Sequence, residues 1–142
     1  MRRELVVATR NRKKLEEIKE ILRGVPLAIK SLADFSRVPA IRENGSTFSD
    51  NAIKKAVKAA RFTGTLALGE DSGLCVRALN GAPGVRSARY SGRDKNDEKN
   101  NRKLLAALEG LPVKPRGAYY ACAVALADRE GLIGVVEGRR AG

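Results

Sequence analysis

Apolar positions along this chain alternate between short unbroken runs and stretches with helical spacing. Leu5-Val6-Val7-Ala8 is a run of the first kind and predicts a buried strand. After the polar turn Thr9-Arg10-Asn11, the residues Leu15, Ile18, Ile21 and Leu22 share one helical face, and Glu16, Glu17, Lys19, Glu20 and Arg23 take the other. Gly24 and Pro26 stop that helix. Leu27 to Ile29 predicts a second strand, followed by an irregular stretch broken by Pro39 and Gly45. Phe48, Ala52, Ile53, Ala56, Val57 and Ala60 then recur at helical spacing, with Lys54, Lys55, Lys58 and Arg61 expected to face out. Ser46 or Thr47 can cap this helix, Asp50 suits the positive end of its dipole, and Gly64 ends it.

Leu66-Ala67-Leu68 predicts a strand that delivers Glu70 and Asp71 at its end, and Leu74 to Leu79 predicts another. Asp94 to Glu109 reads as a third helix with Leu104, Leu105 and Leu108 apolar and Gly110 as its stop. Tyr119 to Ala127 and Leu132 to Glu137 read as strands joined at Asp128-Arg129-Glu130-Gly131. The order β-α-β-α-β-β-α-β-β is α/β without clean alternation, which favours a mixed sheet over a doubly wound parallel one. No helix is expected to cover the last two strands, which leaves an open sheet edge there.

Composition narrows the functional classes. With 142 residues, 43% hydrophobic and 31% charged, the chain is expected to form one domain spanning residues 1–142. No apolar run reaches membrane-spanning length and no leader pattern opens the chain, so the cytoplasm is the expected compartment and no membrane partner is expected. The net charge of +12 suggests an anionic partner, a nucleotide or a nucleic acid, or else a basic solvated surface. Only 4% of residues are aromatic, which disfavours a stacking platform for single strands. Cys75 and Cys122 lie far apart in apolar runs, and both are expected to be buried, reduced structural thiols. The absence of histidine excludes Ser-His-Asp and Cys-His chemistry within these residues, leaving acid–base work to carboxylates, lysines or tyrosines.

Four segments carry candidate chemistry. Thr9-Arg10-Asn11-Arg12-Lys13-Lys14 joins a strand to a helix, where outward backbone N–H groups and the dipole favour an anion. There Thr9 and Asn11 can bond phosphate oxygens and Lys14 adds charge; a plain polar cap explains the same residues. Glu43-Asn44-Gly45 offers a carboxylate for a metal, or simply a surface glutamate. Glu70-Asp71-Ser72-Gly73 offers adjacent carboxylates, one to face Mg²⁺ while the other braces it, with Asp71 as general base; it also reads as a turn between strands. Gly81-Ala82-Pro83-Gly84-Val85-Arg86-Ser87-Ala88-Arg89-Tyr90 fixes a loop whose Arg86 and Arg89 can clamp phosphates.

In this order the segments resemble the inosine triphosphate pyrophosphatase family. The matching pieces are Thr9-x-Asn11-x-x-Lys14, Glu43-x-Gly45-x-x-Phe48-x-x-Asn51-Ala52, Glu70-Asp71-Ser72-Gly73-Leu74 and Gly81-Ala82-Pro83-Gly84-x-x-Ser87-Ala88-Arg89-Tyr90, supported by Asn100-Asn101-x-Lys103-Leu104-Leu105 and the Cys122 strand. The resemblance implies a long, twisted mixed β-sheet with helices forming two lobes around a cleft. It further implies Mg²⁺-dependent hydrolysis of ITP, dITP and XTP to the monophosphate and pyrophosphate, usually by a homodimer. By the same pattern the turn from Thr9 through Arg10, Asn11, Arg12 and Lys13 to Lys14 would hold the triphosphate, with Ser72 and Arg89 also on substrate. Glu43 and Asp71 would serve the metal, and Asp71 would activate water. Arg10 departs from the small residue common there. The family's C-terminal Phe-Gly-Tyr-Asp and Ser-His-Arg segments, which form the purine pocket, have no counterpart, so the fold is expected to be C-terminally shortened. The rival expectation is a basic nucleotide- or nucleic-acid-binding protein without catalysis.

Overall fold

A computed structural model describes residues 3–79, 81–85, 97–109 and 117–141. Its strands are β1 (Arg3–Val7), β2 (Leu27–Ser31), β3 (Leu66–Val76), β4 (Ala118–Asp128) and β5 (Gly131–Ala141), and its helices are α1 (Arg12–Ile21), α2 (Phe48–Thr63) and α3 (Asp97–Leu108). The strands form one sheet in the order β2-β1-β3-β4-β5. β1 is parallel to β2 and to β3, while β3, β4 and β5 are antiparallel, so the sheet is mixed, as expected.

Alternation along the strands separates two faces. One carries Val6, Ala67, Ala123, Ala125 and Ala127, all buried, against Ala52, Ala56, Ala59 and Ala60 of α2. Small residues on both surfaces let the helix approach closely. The extreme case is Gly69, where an added Cβ would lie 2.2 Å from the Ala52 carbonyl oxygen and 2.6 Å from the Ala56 nitrogen. Thr47 caps α2 by accepting a hydrogen bond from Asp50 N at 3.0 Å, and Gly64 closes it in the left-handed conformation at φ 73°.

Three expectations need correction. Leu66 to Leu79 is not two strands about a turn: β3 runs unbroken to Val76 because β4 pairs with it from Ala67↔Ala127 to Val76↔Ala118, and Arg77–Leu79 is a short 3₁₀ turn. Gly69 and Gly73 there are strand residues. The last two strands are not left without a helix, since α2 packs across β3, β4 and β5; β5 is nevertheless one of the two edge strands, with β2 the other. Ile21 and Leu105, assigned to apolar helix faces, are 78% and 68% exposed. The proposed start of the third helix at Asp94 and its stop at Gly110 lie outside the described residues. The 128–131 turn is present, with Asp128 Oδ1 accepting from Glu130 N and Gly131 N. Among the described residues no helix is long and apolar enough to cross a membrane.

Candidate active site

Parallel pairing between β1 and β3 ends at Val7↔Leu68, and Ala8 N donates to Leu68 O at 2.8 Å. β3 continues past that point beside β4 alone. Glu70 and Asp71 therefore lie mid-strand yet just beyond the carboxyl end of the parallel pair, where crevices form in open α/β sheets. The chain leaving β1 turns through Thr9 and Arg10 into α1 at the same level. There Asn11 is the N-cap: its Oδ1 accepts from Lys13 N at 3.0 Å and from Lys14 N at 3.4 Å, while Asn11 N donates to Thr9 Oγ1 at 3.1 Å.

A cleft of about 740 Å³ results. Thr9, Arg10, Asn11 and Lys14 line one side, and Glu43, Lys55, Glu70, Asp71 and Ser72 line the other. Arg12 and Lys13 are exposed on the first turn of α1 and do not line it. Arg86 and Arg89 lie outside the described residues.

Adjacent carboxylates on a strand point to opposite faces, and each here has its own partners. Glu70 meets Lys14 Nζ at 3.6 Å and accepts from the Cys122 thiol at 3.5 Å. Cys122 is thus half-buried against a carboxylate, a correction to the expected buried structural thiol; Cys75 is buried as expected, and both are free. Burial and the Glu70 charge push the Cys122 thiol up to about 11. Asp71 turns toward α2: its Oδ2 accepts from Asn51 Nδ2 at 2.9 Å and its Oδ1 from Ser72 N at 3.1 Å. Burial lifts the Asp71 carboxyl above the ordinary carboxylate range. The Asn51 hydrogen bond and the Lys55 charge pull it back, while Glu43 and Glu70 push it further up.

Sequence reasoning missed Lys55 and named Asn51 only within a motif, without a role. Lys55, expected to face out with the other basic residues of α2, turns inward: it pairs with Glu43 and donates to Glu70 O at 3.0 Å. The available signal was its place four residues after Asn51, one turn along the same side of the helix. The donor set suits a hard cation, since Glu43 and Asp71 both line the cleft and carboxylate oxygens are hard donors. Among the described residues no three metal-binding side chains cluster, so protein groups alone would not complete a coordination shell. Mg²⁺ characteristically takes one or two carboxylates and leaves the rest to water and phosphate oxygens.

A strand-to-helix turn carrying cations thus lies across a cleft from carboxylates at the end of a parallel pair, in a mixed α/β protein, an arrangement that suits a phosphate ester. The chain belongs to the Ham1 family, whose model matches residues 5–142. It is 54% identical over 127 residues to a dITP/XTP pyrophosphatase of Geobacter sulfurreducens, an alignment covering 89% of this chain and 64% of the relative. A dITP/XTP pyrophosphatase of Desulforamulus reducens is 49% identical over 134 residues, covering 94% and 67%. The chain thus spans about two thirds of the length of these curated relatives. A HAM1 protein structure from Coxiella burnetii superposes with a TM-score of 0.89 at 41% identity, covering all of this chain and 72% of that one. The resemblance to the inosine triphosphate pyrophosphatases and the α/β mixed-sheet fold are both borne out.

Proposed function

We propose that this chain carries the triphosphate-cleaving site of a nucleoside triphosphate pyrophosphatase. It would act on non-standard purine nucleotides such as ITP, dITP and XTP and release the monophosphate and pyrophosphate. The observation that carries this reading is the single cleft that sets Thr9, Arg10, Asn11 and Lys14 opposite Glu43, Asp71 and Ser72. The names of the relatives support the substrate class.

In this reading the N-terminal turn of α1 receives the triphosphate, with Lys14 and Arg10 balancing its charge and Thr9 and Ser72 supplying hydroxyls. Glu43 and Asp71 would hold Mg²⁺, which when bound neutralises phosphate charge and favours in-line displacement. Asp71 takes a proton from the attacking water as its oxygen bonds the α-phosphorus and the bond to the bridging oxygen of pyrophosphate breaks. Its raised proton affinity suits a base better than an ordinary aspartate would. Lys55 keeps Glu43 turned into the cleft. Arg89 completes the proposed substrate contacts. The reading also includes a homodimer, for which Tyr120, Ile133 and Val136, exposed on β4 and β5, offer apolar surface, and sedimentation at micromolar concentration tests it.

The decisive assay incubates the chain with ITP, XTP, dITP, ATP or GTP and Mg²⁺ and measures pyrophosphate apart from phosphate. Pyrophosphate from ITP, lost in Asp71→Asn with folding retained, is the expected result. An Asp71→Asn protein that keeps its turnover refutes the base assignment. No turnover together with salt-sensitive DNA binding favours the nucleic-acid-binding alternative instead.

A further inference from the structure

We propose that Asn51 is a positioning residue that sets the separation of Glu43 and Asp71, the two carboxylates facing the cleft; the proposal rests on reading those two as the metal-binding pair. Asn51 is only 1% exposed, in a helix whose other buried positions are all alanine. Both ends of its amide are used. Nδ2 donates to Asp71 Oδ2 at 2.9 Å, and Oδ1 accepts from Gly45 N at 2.8 Å. The reversed amide would set an oxygen against a carboxylate and an N–H against an N–H, so its orientation is determined by its partners.

Those partners belong to different parts of the fold. Gly45 lies two residues after Glu43 in the loop before α2, and Asp71 lies on β3. Asn51 therefore joins the loop carrying one carboxylate to the strand carrying the other. One turn further along α2, Lys55 reaches Glu43 from the same side. The loop comes so close that a Cβ at Gly45 would lie 2.7 Å from Asn51 Oδ1 and 2.7 Å from Asp50 Cβ. The amide is not needed to start the helix, because Thr47 already caps it. A buried polar side chain costs stability unless fully bonded, and alanine serves every neighbouring buried position without that demand. What the asparagine adds is a fixed relation between two groups that must bind one ion. Groups that orient ligand side chains in this way typically change metal affinity by about 10- to 100-fold when removed.

The test follows Mn²⁺ binding through water proton relaxation in the wild-type chain, Asn51→Ala, Gly45→Ala, Asp71→Asn and the double variant Asn51→Ala/Asp71→Asn, with urea midpoints beside each. Asn51→Ala is expected to weaken Mn²⁺ binding by about 10- to 100-fold. Its ITP binding in EDTA should stay within about twofold, because the phosphate turn is untouched. Added to Asp71→Asn, the same substitution should change Mn²⁺ affinity no further. Gly45→Ala keeps the asparagine but forces the loop off it, and should reproduce the Mn²⁺ defect; it carries the test if Asn51→Ala does not fold. Mn²⁺ affinity unchanged in the folded variants, with binding still dependent on Asp71, overturns the positioning role alone. If Asp71→Asn binds Mn²⁺ as well as wild type does, the metal-pair reading fails and the positioning role with it.

Discussion

Gly69→Ala should be among the most damaging single-methyl additions to this chain. The new Cβ would sit 2.2 Å from the Ala52 carbonyl oxygen, 2.6 Å from the Ala56 nitrogen and 3.0 Å from the Lys55 Cβ. Ordinary contact begins near 3.4 Å, so α2 or β3 must retreat by about 1.2 Å where they cross. The obstructing atoms are backbone, and no rotamer change relieves them. Overpacking of this kind costs about 1–3 kcal/mol, and a backbone clash belongs at the upper end. At about 2–4 °C per kcal/mol for a chain of this size, the melting temperature should fall by about 10 °C. The same retreat separates Asn51 and Lys55 on α2 from Asp71 and Glu70 on β3, and a hydrogen bond at 2.9 Å does not survive an added ångström. Misplacement of that size costs about 100-fold in rate, so pyrophosphate release should fall further than stability alone explains. Gly134→Ala is the control: it lies on β5 with nothing within 4 Å of the added carbon. Thermal melts and pyrophosphate release are compared for the two variants. A Gly69→Ala protein that melts within about 2 °C of Gly134→Ala refutes the close approach of α2 to β3.

Lys55→Met should lower kcat/KM for ITP by about 10- to 100-fold, the worth of a charge-assisted contact, and an unchanged value removes Lys55 from the site. Cys122 should resist alkylation: with its thiol near 11 and the thiolate form lost as pH falls below that value, only about one molecule in a thousand is reactive at pH 8. After allowing for the greater nucleophilicity of a more basic thiolate, iodoacetamide should modify it about 10-fold more slowly than an unperturbed cysteine, read by peptide mass spectrometry, and equal rates contradict the burial beside Glu70. Thr47→Ala removes the acceptor that caps α2 and should cost about 1 kcal/mol in a urea titration; an unchanged midpoint means another group satisfies Asp50 N.

The residues that sequence reading placed well are those whose physics is local. Thr47 sits directly before α2 and caps it, and Gly64 ends it, because capping needs only a few neighbouring residues; Asn11 caps α1, as the plainer of the two readings of its turn expected. The readings that went astray depended on a partner far along the chain. Gly69 and Gly73 look like turn glycines beside Asp71-Ser72, but β4, some fifty residues on, pairs with that whole stretch and keeps it extended. Glycine is required at 69 because a helix crosses there, a demand that no local pattern expresses. Lys55 was assigned to the outer face by its charge alongside Lys54 and Lys58, yet the inner surface near the start of α2 crosses β3 at Asp71 rather than at Ala67. At that crossing the helix buries an asparagine and turns a lysine inward, while one turn on it buries only alanine. The polarity of the inner face thus changes along one helix according to which residues of β3 it meets. Hydrophobic periodicity averages over such a helix and reports the alanine half; the chemistry resides in the other half, which becomes legible only once β3 is placed beneath it.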